Sequence, residues 1–268
     1  MHTLMQSLVA GYEGLSELFL IPMPVFFISS SFIQNDHVSI GDPLFSHLYK
    51  SLRVKPGETL WFGDEQRTRY LAHVRSIGSN HLIADILEKH AGPAPSGPQL
   101  IVGQAILKNH QMNWAIQKAI ELGVRTLMPV ITARTVIDCK SSRLQAYQER
   151  WQRIALEAAQ QSEQWTIPEV TLPYSMTDFC QKTREAAVCS LLVERHEGPG
   201  LHTLPLAQKP EEQIVVTIGP EGGWTTEELR IAQENGFHTV TLGEHILRAE
   251  TATIAATTII QNRLGNLG

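Results

Sequence analysis

Ile218-Gly-Pro-Glu-Gly-Gly-Trp-Thr-Thr-Glu-Glu228 and Leu242-Gly-Glu-His-Ile-Leu-Arg-Ala-Glu-Thr-Ala252 decide how this chain reads. Each follows a short β-branched run, Ile214 to Ile218 or Val240 to Leu242, and each leads into a helix. Such a pair gathers main-chain amides and small residues at the carboxyl ends of two strands, where open α/β sheets bind small ligands. Thr225-x-x-Glu228 has the form of a capping box for the first of these helices, and Asn235-Gly236 ends it. The last helix, roughly Glu250 to Arg263, starts directly at the second turn and carries Ala252, Ile254, Ala255, Ile259 and Ile260.

Upstream, Leu100 to Leu107 reads as a buried strand, Asn113 to Leu122 as a helix stopped by Gly123, and Thr126 to Ile131 as a strand. Ser142 to Gln164 is a long helix with Leu144, Trp151, Ile154, Leu156 and Ala158 on its apolar side. A helix around Thr177 to Glu185 and a strand Val188 to Val193 follow. This alternation predicts an α/β fold, a parallel sheet with helices on both faces. Before it, Ala91-Gly-Pro-Ala-Pro-Ser-Gly-Pro98 has linker composition.

From Val25 to about Leu87 the chain reads as short strands, at Val25 to Ser29, Thr59 to Phe62, Tyr70 to Val74 and His81 to Leu87. A helical segment, His47 to Arg53, and a Lys55-Pro-Gly-Glu58 turn lie among them, and a small β-barrel closes such strands naturally. In residues 1–22, Leu4, Leu8, Tyr12, Leu15 and Phe19 fall at helical spacing broken by Gly11 and Gly14, which suggests a loosely ordered extension. The expected division is an N-terminal extension 1–22, a barrel 23–92, a linker 93–98 and an α/β domain 99–268.

Composition excludes several classes. No run is apolar for the length of a membrane span, so no integral membrane protein is expected. Cys139, Cys180 and Cys189 are odd in number and widely spaced, which fits neither a disulfide framework nor a zinc site. The first lysine or arginine is Lys50, so a secretory or transit signal is not expected and a cytoplasmic location is. The 11 histidines show no metal-binding spacing, and no metal is expected. A net charge of -5 announces no general affinity for nucleic acid. Locally, Lys50, Arg53, Lys55, Arg67, Arg69 and Arg75 outnumber Glu58, Asp64 and Glu65.

Gly219-Pro-Glu-Gly-Gly223 lacks the lysine and hydroxyl residue of a P-loop and the spacing of a dinucleotide fingerprint, which disfavours a nicotinamide site. Two turns remain that can hydrogen-bond a purine and a ribose through main-chain groups, with Leu242, Ile246 and Leu247 as walls. The plain structural alternative for Gly222 and Gly223 is a tight turn and nothing more.

At these residues the chain resembles the SPOUT class of S-adenosylmethionine-dependent RNA methyltransferases, and more closely the RsmE family, which methylates N3 of a uridine in 16S ribosomal RNA. Four ordered blocks carry the resemblance: Leu52-Arg-Val-Lys-Pro-Gly57, Ile116-Gln-Lys-Ala-Ile-Glu-Leu-Gly123, Ile218-Gly-Pro-Glu-Gly-Gly223 and Leu247-Arg-Ala-Glu-Thr-Ala252. The resemblance implies a PUA-like RNA-binding barrel, a SPOUT methyltransferase domain with a C-terminal trefoil knot, and a homodimer. It implies S-adenosyl-L-methionine as cofactor and 16S ribosomal RNA or the small ribosomal subunit as partner. Implied cofactor contacts are Leu192, Val193, Ile218, Gly219, Pro220, Gly222, Leu242, Gly243, Ile246, Leu247 and Ala252.

Arg248 is the candidate cation beside the imide anion that develops at the uridine, since a guanidinium fork suits planar oxygen acceptors. Glu250 is a candidate to orient Arg248 or to cap the last helix; a structural salt bridge is the alternative for the pair. Arg53, Lys55, Lys108 and Arg134 are candidates for RNA contacts, Glu221 for the pocket, and Trp224 for stacking on a base. The chain departs from the family at His245, where arginine is usual, and at Asn113, where glutamate is. It also lacks basic residues at Pro22 to Val25 and an arginine in Gln161 to Trp165. These departures leave two rival functions: a methyltransferase acting on another RNA or on a ribose hydroxyl, and a non-catalytic RNA-binding ribosome-assembly protein.

Overall fold

The computed structural model describes residues 24–135, 141–194 and 198–268. The extension expected at 1–22 and Cys139 lie outside the described residues.

The first sheet contains β1 (Val25–Phe27), β2 (Ile33–Gln34), β3 (His37–Ile40), β4 (Thr59–Gly63), β5 (Thr68–Ile77) and β6 (Leu82–Ala91). Its order is β1-β4-β5-β6-β3-β2, with β1 parallel to β4 and the other pairs antiparallel. One core gathers Phe26, Ile28, Val38, Ile40, Phe62, Val74 and Leu82 from strands across the whole sheet. Phe45 and Leu48 join that core from α1 (Leu44–Ser46) and the π-helical turn His47–Ser51. The β2–β3 hairpin has no signal in the sequence reading, because Ile33-Gln-Asn-Asp-His-Val38 is short and polar. It turns at Asn35, whose φ of 52° suits asparagine.

The second sheet is parallel throughout. Its strands β7 (Gln99–Ala105), β8 (Thr126–Ile131), β9 (Glu169–Val170), β10 (Tyr174–Ser175), β11 (Val188–Leu192), β12 (Gln213–Ile218) and β13 (His238–Val240) run β10-β8-β7-β12-β11-β13, with β9 beside β8. Adjacent residues serve opposite faces, as the two-residue period of a strand requires. Val102 and Val216 pack under α2 (Asn109–Glu121), α3 (Ser141–Gln161) and α6 (Ala249–Arg263), alongside Ile116, Ile120, Trp151, Ala155 and Ile260. Ile101 and Val215 pack under α4 (Met176–Thr183) and α5 (Thr226–Glu234), alongside Phe179 and Ala232. Cys180 and Cys189 lie on that second face, where burial pushes their thiols up to about 12 and about 11. Both are free, and thiols so far from ionising are poor nucleophiles.

Two sets of contacts position the later site. Gln104 at the end of β7 is fully buried, and its Oε1 accepts a hydrogen bond of 2.5 Å from Thr253 Oγ1, which fixes the first turn of α6 over the sheet. At the other end of α6, Gln261 Nε2 donates to Leu122 O at 2.8 Å. The two sheets meet where Arg69 of β5 lays its guanidinium on the Trp165 ring, 3.9 Å from the centroid, and donates to the carbonyl of Glu163. Phe27 of β1 is buried in the core of the second sheet rather than the first.

Candidate active site

The cavity opens at the carboxyl ends of β11, β12 and β13, where three turns converge, and has a volume of about 830 Å³. A volume in the range 300–1,000 Å³ is usual for small-molecule sites.

Each turn is held by local chemistry. After β12 the chain bends at Gly219 and Pro220, Gly223 N–H returns to Pro220 O at 2.9 Å, and Gly223 takes a φ of 72°. Thr225 then caps α5: its hydroxyl accepts the Glu228 N–H at 3.2 Å while Glu228 Oε2 accepts the Thr225 N–H at 2.8 Å. Trp224 folds back on Gly219, where an added Cβ would sit 3.0 Å from its indole nitrogen, and donates from Nε1 to Leu192 O at 2.9 Å. The indole thus stitches the turn after β11 to the turn after β12. Its one N–H is committed to the protein, which fixes the orientation of the ring on the cavity wall. After β13, Thr241 Oγ1 accepts the Gly243 N–H at 3.2 Å, and Gly243 turns with a φ of 125°. The carbonyl of Val240 meanwhile accepts the Val193 N–H at 2.9 Å.

The structure brings Leu192, Val193, Ile218, Gly219, Pro220, Gly222, Leu242, Ile246, Leu247 and Ala252 together on the wall of this one cavity. Gly243 turns the chain between two lining residues and is not on the wall itself. Arg248 and Glu250 line it too, as do Lys108, Arg134, Glu221 and Trp224. Arg53 and Lys55 are exposed on the first sheet's domain, away from the cavity, with Arg53 in a left-handed conformation at φ 56°. Gln111, Thr241, Glu244 and His245 are lining residues that were not anticipated as such. Gln111 escaped because α2 begins at Asn109, four residues earlier than its apolar spacing suggests, with Lys108 as an N-cap that makes no side-chain capping bond.

Arg248 is the N-cap of α6, exposed at the cavity edge. Glu250, in the first turn of α6, is 8% exposed. Among the described residues no ion pair joins the two, so neither orientation of Arg248 by Glu250 nor a salt bridge between them is what the structure contains. Arg134 lies along Gly222 and donates from Nη1 to the Gly222 carbonyl. The wall is otherwise mixed. Aliphatic surface comes from Leu192, Val193, Leu242, Leu247 and Ile246, the last left 51% exposed.

A family model described as an RNA methyltransferase domain matches residues 95–261, and a second, an RNA methyltransferase PUA domain, matches 40–87. The ribosomal RNA small subunit methyltransferase E (RsmE) of Buchnera aphidicola subsp. Schizaphis graminum is 30% identical over 236 residues, 87% of this chain and 93% of that protein. This chain belongs to the RsmE family. The RsmE of Synechocystis is 32% identical over 213 residues, 78% of this chain and 68% of that protein. A crystal structure of the Neisseria gonorrhoeae RsmE, bound to S-adenosyl methionine, superposes with a TM-score of 0.78 at 30% identity, covering 90% of this chain and 98% of that one.

The residues present fit the adenosine-bearing ligand named for that RsmE structure. Main-chain groups at two glycine-rich turns can pair with a purine edge and a ribose, and the aliphatic side chains can flank the ring, within a volume that admits it. Among the described residues no group of histidine, cysteine or carboxylate side chains could hold a metal ion, and no helix is long and apolar enough to cross a membrane.

Proposed function

We propose that this chain is an S-adenosylmethionine-dependent methyltransferase that acts on N3 of a uridine in the 16S ribosomal RNA of the small subunit. The single observation that carries the proposal is the gathering of three turns, after β11, β12 and β13, around one cavity with Arg248 at its edge. The family membership supports the substrate class.

When bound, S-adenosylmethionine supplies a methyl group already activated on a sulfonium, so no metal is required. Leu192, Val193, Ile218, Gly219, Pro220, Leu242, Ile246 and Leu247 would hold it. The chain must then align the uridine N3 and exclude water. N3 carries a proton and becomes nucleophilic as that proton leaves, so negative charge spreads over the two flanking carbonyl oxygens. Arg248, at the mouth with no protein partner committing its guanidinium among the described ion pairs and hydrogen bonds, stabilises that charge. Lys108 and Arg134 flank the same mouth and serve RNA phosphates, with Arg53 and Lys55 extending the RNA path onto the PUA domain.

The same reading takes the segment after β13 as the closing loop of a trefoil knot and the protein as a cytoplasmic homodimer. Ile259 and Ile260 pack in the chain's own core, while Ile254, half-buried on the same helix, belongs to the dimer contact. Light scattering at micromolar protein should give twice the chain mass; a fully active monomer would exclude the dimer.

Replacing Arg248 by alanine tests the mechanism. Turnover on small subunits should fall below detection while cofactor affinity, measured by calorimetry, stays within a few fold. Undiminished methylation in that variant removes Arg248 from the chemistry. Wild-type protein that binds no cofactor at all would favour the non-catalytic RNA-binding rival.

A further inference from the structure

Glu228 is 5% exposed, and its carboxylate is satisfied from two separate parts of the chain. Oε2 accepts the Thr225 N–H at 2.8 Å and the Thr225 hydroxyl at 2.9 Å, which completes the capping box of α5. Oε1 accepts the Ala133 N–H at 2.8 Å, across 95 residues of sequence. No helix cap needs that last bond. It ties the segment leaving β8 to the turn leaving β12.

The tied segment is itself a tight turn. Thr135 N–H returns to Thr132 O at 3.1 Å, and Thr135 Oγ1 accepts the Thr132 N–H at 2.9 Å. Arg134 sits inside this turn, with its aliphatic stem packed on Gly222, where an added Cβ would be 3.0 Å from Arg134 Cδ, and its guanidinium on the Gly222 carbonyl. Arg134 and Gly222 both line the cavity, whereas Glu228 and Ala133 do not.

We infer that Glu228 is a positioning residue for the cofactor site: through Ala133 it fixes the Thr132–Thr135 turn, and through Arg134 that turn fixes the Gly222 side of the cavity. A carboxylate is required because three donors converge on it, and a neutral amide would present an N–H to one of them. The inference rests on the cavity being the S-adenosylmethionine site.

Three variants separate this role from simple helix capping. Thr225→Ala weakens the cap and leaves the bond to Ala133. Glu228→Gln disturbs both. Ala133→Pro removes the donor N–H and sets the ring against Oε1, at the second position of the turn, so it breaks the tie while leaving the Thr225 side chain and its cap in place. Losing a hydrogen bond to a charged group lowers affinity by about tenfold when that bond holds the site in shape. Calorimetry should therefore show Ala133→Pro and Glu228→Gln raising the Kd for S-adenosylmethionine by about tenfold, and Thr225→Ala by less than about threefold, by the same arithmetic. Amide exchange across Thr132–Thr135 should quicken in Glu228→Gln with or without cofactor. Wild-type affinity in Ala133→Pro, or a Thr225→Ala variant as weak as Glu228→Gln, overturns the inference. If Glu228→Gln does not fold, Ala133→Pro decides. If the wild-type protein binds no S-adenosylmethionine, the cofactor reading fails instead, and the exchange measurement alone judges the tie.

Discussion

Gly103, in the middle of β7, faces the ring of Phe179 so closely that any Cβ there would fall inside the contact distance of that ring. Phe179 is fully buried and tilts against Phe237 with ring centroids 5.9 Å apart, so it has little room to retreat. Gly103→Ala should therefore destabilise the protein by about 1–3 kcal/mol through overpacking. A urea titration would check this, and a midpoint unchanged from wild type would show that the α4 face can shift to accept a methyl group. Chemistry at single residues was otherwise partly readable in the sequence. Ile218 to Pro220 and Leu242 to Leu247 announce a binding turn by composition, while the partner of Arg134, the Gly222 carbonyl 88 residues away, has no local signature. The same holds for Trp224, whose donation to Leu192 O depends on two strands being neighbours.

Among the elements, the joint between the two sheets carries the least expected interaction. Arg69 is 7% exposed, stacked on Trp165, and its Nε finds no hydrogen-bond partner; burial pulls its pKa below the ordinary guanidinium value. Gly92, at the start of the inter-domain segment, packs on the same indole, where an added Cβ would lie 2.7 Å from it. Trp165→Ala leaves the cation buried without its stacking partner, worth about 2 kcal/mol for a desolvated cation–π pair. Thermal unfolding should then separate into two transitions as the PUA domain and the α/β domain lose their joint, followed by calorimetry; a single transition at the wild-type temperature would show the joint to be unimportant. Sequence periodicity found the long elements, β7, β8, α3, β12 and α6, because their burial repeats many times. It missed β9 and β10, each of 2 residues, and placed the start of α2 late, because Lys108 offers no capping side chain. Around Trp165 the sequence shows only a missing arginine; the stacking of Trp165 on Arg69 is a tertiary fact.

For the molecule as a whole, a net charge of -5 means that RNA must be attracted by a patch and not by the overall field. Lys108, Arg134 and Arg248 at the mouth of the cavity, and the exposed Arg53 and Lys55 on the PUA domain, form the proposed path. Removing one phosphate contact, as in Lys108→Ala, should flatten the dependence of log affinity on log salt by about 0.7 to 0.9. Filter binding over a range of salt would test it, and an unchanged slope would take Lys108 off the path. Deleting the gene in its host and analysing the nucleosides of small-subunit ribosomal RNA by mass spectrometry should show that one 3-methyluridine has disappeared, and that it returns with the wild-type gene but not with Arg248→Ala. Full retention of 3-methyluridine in the deletion strain would contradict the account.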